Sequence, residues 1–202
     1  MLKAGEILVW RARLDELPER DLPPLLPEES ARAGRFRSDE VRTRFVRSHG
    51  VLRAILASLN LPPDFARDDR NKPFLPGLPD VHFNLSRSRG MALYAVARGV
   101  EVGVDVERVR SLPEYLAIAE RFLPPSHYAA LLEAPQEARL AGFFRVWTRL
   151  EASLKAIGVG LYGAGEELAG PWTLAEIDAG EGFAAAVAAP AENCRVIVRD
   201  FA

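Results

Sequence analysis

The run Ile7-Leu8-Val9-Trp10, flanked by Glu6 and by Arg11-Ala12-Arg13, predicts a short strand over 6–13. Pro18, Pro23, Pro24 and Pro27 then interrupt the chain, and Pro27-Glu28-Glu29-Ser30 opens a short helix that ends near Gly34. Ser38 caps a longer helix with Asp39 and Glu40 in its first turn. Val41, Phe45, Leu52, Ile55, Leu56 and Leu59 form its apolar stripe, and Leu61-Pro62-Pro63 stops it. A proline-rich loop carrying Lys72-Pro73-Phe74 follows. His82-Phe83-Asn84-Leu85 and residues 91–97 read as two strands joined across a polar loop, Ser86-Arg87-Ser88-Arg89-Gly90. After the turn at Arg98-Gly99, a third strand covers 100–107. Helices are expected near 113–123, 125–134 and 136–157, and strands near 172–178, 183–189 and 195–201.

Helices then strands, twice over, predict an α+β protein of two similar halves, an N-terminal one over 1–100 and a C-terminal one over 101–202. The chain is 49% hydrophobic and 27% charged, which excludes a wholly disordered protein. No apolar run reaches the roughly 18 residues of a bilayer span, and the charges at Lys3 and Glu6 interrupt any signal peptide. Cys194 is the single cysteine, so a reducing cytoplasm is the expected compartment. A net charge of -2 gives no reason to expect nucleic acid as a partner. Among 26 basic residues the lysines are Lys3, Lys72 and Lys155; where arginine is the default, a lysine can mark a need for a compact ammonium.

Candidate chemistry sits in four places. In Val102-Gly103-Val104-Asp105-Val106-Glu107, alternation puts the valines on one strand face and Asp105 with Glu107 on the other. Two such carboxylates suit a hard divalent cation such as Mg²⁺; the alternative is an exposed face with two ordinary acids. On the helix around Trp147, Glu151 falls within the stripe of Leu140, Phe144, Trp147 and Leu154, with Lys155 one turn on. A half-buried carboxylate has a raised pKa suited to a general base, and the alternative is a structural Glu–Lys pair. A basic segment runs from Arg32 to Arg53, where Arg44 borders the apolar stripe. The loop 84–90 offers donors suited to phosphate. His49 reads as a core-edge residue, and His82 and His127 lack a second histidine or cysteine at zinc-ligand spacing.

Lys72-Pro73, Phe83-Asn84-Leu85-Ser86, Gly103-Val104-Asp105-Val106-Glu107 and Trp147-Thr148-x-x-Glu151-Ala152-x-x-Lys155-Ala156-x-Gly158-x-Gly160-Leu161, in that order, resemble the 4′-phosphopantetheinyl transferases of the surfactin-synthetase-activating type. The resemblance spans about residues 36–161. It implies a pseudo-twofold monomer of two α+β halves with coenzyme A in the cleft between them. It also implies an enzyme, a holo-[acyl-carrier-protein] synthase. A carrier-protein serine attacks the β-phosphate of coenzyme A, takes the phosphopantetheine arm and releases 3′,5′-ADP, with Mg²⁺ as cofactor. In that scheme Glu151 matches the base, Lys155 the lysine at the phosphates, and Asp105 and Glu107 the metal ligands. Arg44, Lys72, Pro73, Ser86 and Arg87 match the residues around coenzyme A. The partner is an acyl or peptidyl carrier protein of fatty-acid, polyketide or nonribosomal-peptide synthesis, with no membrane.

Three positions depart from the family pattern. Arg87 stands where histidine is usual, Leu150 where lysine usually precedes the glutamate, and His127 where an acidic residue often completes the metal shell. A histidine there favours Mn²⁺ as an alternative ion. These departures motivate a rival expectation, a degenerate homologue that binds coenzyme A or a carrier without transferring anything.

Overall fold

The computed structural model describes residues 2–70, 72–161 and 170–202. Residues 162–169 of the expected C-terminal half, with Met1 and Asn71, lie outside the described residues. The expected α+β class is what the chain adopts. Its elements in order are β1 (Glu6–Arg13), α1 (Pro27–Ala33), α2 (Asp39–Ser58), β2 (Ala66–Arg67), β3 (Pro73–Phe74), β4 (Val81–Ser88) and β5 (Met91–Arg98). There follow β6 (Gly103–Arg108), α3 (Tyr115–Phe122), α4 (Pro125–Glu133), α5 (Gln136–Ile157), β7 (Thr173–Glu176), β8 (Phe183–Ala189) and β9 (Arg195–Asp200).

Two sheets dominate, one in the order β4-β5-β1-β9 and one in the order β6-β8-β7. Alternation along β1 shows how they stack. Leu8, Trp10 and Ala12 face α2, where Val51, Leu52, Ile55 and Leu56 cover them. Ile7 and Val9 face the second sheet, meeting Val104, Val106, Ala185 and Val187. On the far side of that sheet, Ala186 and Ala188 pack against Ala152 of α5. The layers therefore run helix, sheet, sheet, helix. Small side chains on β8 let α5 approach closely, and the other face of α5 is closed by Phe143, Phe144, Leu150 and Leu154 with α3 and α4. Ser38 caps α2 as expected, its Oγ accepting the Val41 N–H at 3.4 Å, and Gly158 ends α5 at φ 71°, the left-handed region glycine tolerates.

The structure departs from the expected plan in several details. Ser86, Arg87 and Ser88 belong to strand β4, and only Arg89-Gly90 turns the chain into β5. Their polar alternation reads as a loop, but it is a strand face turned towards another polar strand. Val41 is exposed, outside the buried stripe of α2. β2 and β3 form a two-residue hairpin ladder inside the proline-rich loop, pairing Ala66 with Phe74 and Arg67 with Pro73. The last strand, β9, pairs in parallel with β1, from Glu6 opposite Arg195 to Arg11 opposite Asp200. The sheets thus do not divide the chain at residue 100, because its final strand returns to the sheet of the first half.

Candidate active site

The two sheets meet where edge strand β4 runs alongside edge strand β6 in the same direction. No backbone ladder joins them among the described residues; side chains do. Asn84, Ser86 and Ser88 share one face of β4. Asn84 Oδ1 accepts the N–H of Val104 at 3.2 Å, Ser86 Oγ donates to Asp105 Oδ1 at 2.8 Å, and Ser88 Oγ donates to Glu107 Oε2 at 2.8 Å. The N–H of Arg108 donates to Ser88 Oγ at 3.1 Å. Every second residue of one strand thus holds its neighbour in register, and the polar motif of β4 serves to place the two acids of β6.

Helix α5 lays its C-terminal turns across this row. Lys155 Nζ donates to Asp105 Oδ1 at 2.6 Å and to Ser86 Oγ at 3.0 Å. Gly103 makes that reach attainable. A Cβ there would stand 2.0 Å from the carbonyl oxygen of Ala152 and 2.4 Å from the nitrogen of Ala156. Both are backbone atoms of α5 that cannot swing aside. The glycine inside a valine-rich strand marks a close approach of backbone to backbone, two residues before Asp105.

Asp105 is buried, and its second oxygen, Oδ2, has no hydrogen-bond partner among the described residues. A buried carboxylate oxygen left open in this way is expensive unless something else meets it. Asp105 Oδ2 and the carboxylate of Glu107 are hard oxygen donors on one strand face, a set that fits a hard divalent cation of the Mg²⁺ type. Among the described residues no group of three or more His, Cys, Asp and Glu side chains converges as a metal cage. His127 lies exposed on α4.

Glu151 is half-buried on α5, one turn before Lys155. Burial pushes its pKa up; Lys155 opposes this, and the charges of Asp105 and Glu107 add to the rise. Burial also raises Glu107, against the hydrogen bond from Ser88, and Asp105 pushes it further. Both carboxyls are thereby easier to protonate than free glutamate, which is the property a general base needs.

Beyond Ser86 and Lys155 opens a cleft of about 510 Å³. Arg32, Arg67, Arg70, Lys72, Arg87 and Lys155 line it, with His49, Pro73, Ser86 and Gly158 to Gly160, and among the described residues no carboxylate lines it. Arg87 lies 5.1 Å from the Phe45 ring centroid, and its Nη1 is buried with no partner among the described residues. Such an excess of cation is favourable only with an anion present. Lys72 is differently placed. Its Nζ donates to Glu101 and to the carbonyl of Ala156 at the end of α5. Burial pushes the Glu101 carboxyl up, but the hydrogen bonds from His82 and Lys72 outweigh it and hold the group at about 2. Lys72 therefore ties the β2–β3 loop to α5 across the cleft while lining it.

Of the residues expected from the sequence, Lys72, Pro73, Ser86, Arg87 and Lys155 line this cleft, and Asp105 is bonded to its edge. Arg44 does not line it. Its guanidinium grips Asp15 through Nε at 2.8 Å and Nη2 at 2.6 Å, reaches Glu40 at 2.5 Å, and faces a separate cavity. Asp15 is 29 positions away, so spacing along the helix carried no sign of it. Glu101, Arg67 and Arg70 are not among the residues expected from the sequence. Glu101 was detectable in principle, as the acid a rare buried lysine requires. His49 is buried as a core-edge residue, its Nδ1 3.0 Å from the carbonyl of Phe45, and burial lowers its pKa to about 4. Leu150 is buried in the apolar cluster with Phe143, Phe144 and Leu154.

Residues 101–190 match the family model of the 4′-phosphopantetheinyl transferase superfamily. The chain is similar to the 4′-phosphopantetheinyl transferase HetI of Nostoc sp., 38% identical over 171 residues, covering 79% of this chain and 72% of the relative. It is 28% identical over 164 residues to the 4′-phosphopantetheinyl transferase Sfp of Bacillus subtilis, again 79% of this chain and 72% of the relative. To the 4′-phosphopantetheinyl transferase psf-1 of Bacillus pumilus it is 36% identical over 138 residues, 66% of this chain and 58% of that one.

Proposed function

This chain belongs to the 4′-phosphopantetheinyl transferases, a family of enzymes, and from that premise we propose that it moves the phosphopantetheine arm of coenzyme A to a serine of an acyl or peptidyl carrier protein. The observation that carries this reading is the hydrogen-bonded row Ser86–Lys155–Asp105 at the mouth of a cleft lined by arginine and lysine side chains.

In this reading the cleft takes coenzyme A, with Arg32, Arg67, Arg70 and Arg87 at its phosphates and Lys72 with Pro73 forming one wall. Arg44 leaves the coenzyme set, because its charge is already met by Asp15 and Glu40. Ser86 and Lys155 face the pyrophosphate, where Lys155 offsets charge that builds on the phosphoryl oxygens. Asp105 and Glu107 would hold Mg²⁺, which when bound supplies Lewis-acid neutralisation of the pyrophosphate. Glu151 takes the proton from the acceptor hydroxyl as the serine oxygen bonds to the β-phosphorus. The bond from that phosphorus to the bridging oxygen breaks, and 3′,5′-ADP leaves with the electron pair. The raised pKa of Glu151 places the acid limb of the rate profile above the ordinary value of 4.5.

The helix–sheet–sheet–helix layering supports two halves related by pseudo-twofold symmetry, with β9 exchanged back onto the first. We read the protein as a cytoplasmic monomer; among the described residues no helix is long and apolar enough to cross a membrane. The degenerate-binder alternative is disfavoured because Glu151, Lys155, Asp105 and Glu107 are all present and assembled. The test is incubation of an apo carrier protein with coenzyme A, Mg²⁺ and this protein. A carrier mass increased by one phosphopantetheine arm supports the reading, and an unchanged mass with coenzyme A bound supports the alternative.

A further inference from the structure

Helix α1 is fastened to the protein by charge more than by packing. It offers the interior one methyl group, Ala33, and one carboxylate, Glu29; its other residues are exposed. Space flanks it on both sides. Ser30, Ala33 and Gly34 line a cavity of about 940 Å³, and Glu28, Glu29 and Arg32 line another of about 310 Å³. Close packing therefore does little to locate this short helix.

What locates it is Glu29. Its Oε2 accepts from the guanidinium of Arg53 on α2 and from the N–H of Leu26 at 3.0 Å. Its Oε1 lies 3.8 Å from Nε2 of His49, also on α2. Arg53 is buried too, and donates a second time, to the carbonyl of His49 at 3.4 Å. A buried ion pair adds little stability over apolar side chains of equal volume, but it can admit one arrangement and reject its neighbours.

That arrangement reaches the coenzyme cleft. Arg32, one turn after Glu29, lines the cleft, and its guanidinium lies 5.4 Å from the Phe45 ring centroid. Arg87 reaches the same ring from β4 at 5.1 Å, and His49 packs on it with ring centroids 4.1 Å apart. Two cations from separate elements thus share one aromatic platform. Burial chiefly, and the charge of Arg32, lower the pKa of Arg87. Burial and Arg32 lower that of Arg67 as well, and there the charge of Glu29 opposes them. Like charges stay this close only where the backbone carrying them is held.

We propose that Glu29 is a positioning residue for coenzyme A: through Arg53 it pins α1, so that Arg32 stands beside Arg67 and Arg87 before the anion arrives. Glu29 acts through Arg32 and not by contact with the coenzyme. The inference rests on reading the cleft as the coenzyme site. A preset cation cluster meets phosphate without the entropy loss of assembling it, so the benefit appears in affinity and not in the chemical step.

The test measures coenzyme A binding by calorimetry on the whole protein, with carrier modification followed in parallel. Glu29→Met combined with Arg53→Met replaces the ion pair by apolar side chains of similar length. Its melting temperature should stay within about 4 °C of wild type. Its Kd for coenzyme A should rise about five- to tenfold, with kcat moving less than about twofold. A pair that only stabilised the fold would leave Kd unchanged at a temperature where both proteins are folded, and that result overturns the proposal. Arg32→Ala should raise Kd by a similar factor, and adding it to the paired change should raise Kd little further, since both act through one guanidinium. Fully multiplied effects would show independent action and overturn the proposal too. Should the paired variant not fold, Glu29→Gln decides by the same readings, alone and with Arg32→Ala. A wild-type protein that binds no coenzyme A overturns the cleft reading and this inference with it. Binding without carrier modification overturns transfer alone, and the Kd comparison still decides the role of Glu29.

Discussion

The cleft beside Lys155 and the cavity beside Arg44 are both rich in arginine, yet they differ in what balances that charge. Around Lys155 no carboxylate lines the cleft among the described residues, the two lysines are met by Asp105 and Glu101 from outside it, and Arg87 keeps a buried nitrogen unbonded among those residues. Around Arg44, Asp15 and Glu16 stand among the lining residues, and Arg44 is gripped on two sides. Four arginines line the first and five the second; what sets Arg87 apart from Arg44 is compensation. A buried guanidinium nitrogen left open in a concave site, as at Arg87, points to an anionic ligand that completes it, whereas a guanidinium gripped by carboxylates, as at Arg44, holds the fold.

The hardest blow to this contrast should come from the row between the cavities. Asp105→Ala should abolish transfer, because it removes both the open oxygen and the acceptor for Lys155. Glu151→Gln should lower kcat on the order of 10²–10⁴ while coenzyme A still binds, as isothermal titration would show. Gly103→Ala comes next. Its Cβ meets the α5 backbone, so the helix must shift; stability should fall on the order of 3 kcal/mol in urea unfolding, with activity falling alongside it.

The cations themselves give a smaller and more pointed effect. Arg87→Ala should raise KM for coenzyme A by about tenfold, since a charge-assisted bond is worth roughly 1.5–3 kcal/mol. Arg44→Ala should change that KM less than about twofold and cost at most about 1 kcal/mol of stability, Asp15 being half exposed. Equal KM penalties from the two would erase the distinction between the cavities.

The smallest effect is at Glu101. Its folded pKa of about 2 lies below the ordinary 4.5, so the stabilisation is present above 4.5 and is lost as pH falls towards 2. Glu101→Gln should therefore lower the melting temperature at neutral pH, with the difference from wild type closing through that acid window. A constant difference across the window would show that Lys72 and His82 do not hold the carboxylate.

Much of this was legible in the sequence because its signals are local. Proline and serine marked the starts of α1 and α2, and the apolar repeat marked α5 from end to end. Alternation placed Asp105 and Glu107 on one face. What escaped depends on pairs distant in sequence. The pairing of β9 with β1 joins residues nearly the whole chain apart, and nothing in Arg195–Asp200 names that neighbour. Asn84, Ser86 and Ser88 resemble a loop because their polar face is satisfied by another strand. The pairing of Arg44 with Asp15 is invisible from within its helix. Gly103 carried a signal, a glycine among valines, whose meaning needed the position of α5.

The central claim is that one assembled row performs group transfer, and the most direct test follows the acceptor itself. An apo carrier protein is incubated with coenzyme A and Mg²⁺, with wild-type protein and with Glu151→Gln in parallel, and its intact mass is followed over time. The account predicts a carrier one phosphopantetheine arm heavier with wild type, formed slower by on the order of 10²–10⁴ with the variant, at equal coenzyme A binding. Equal rates in the two would remove Glu151 as the base, and an unmodified carrier with wild type would contradict transfer altogether.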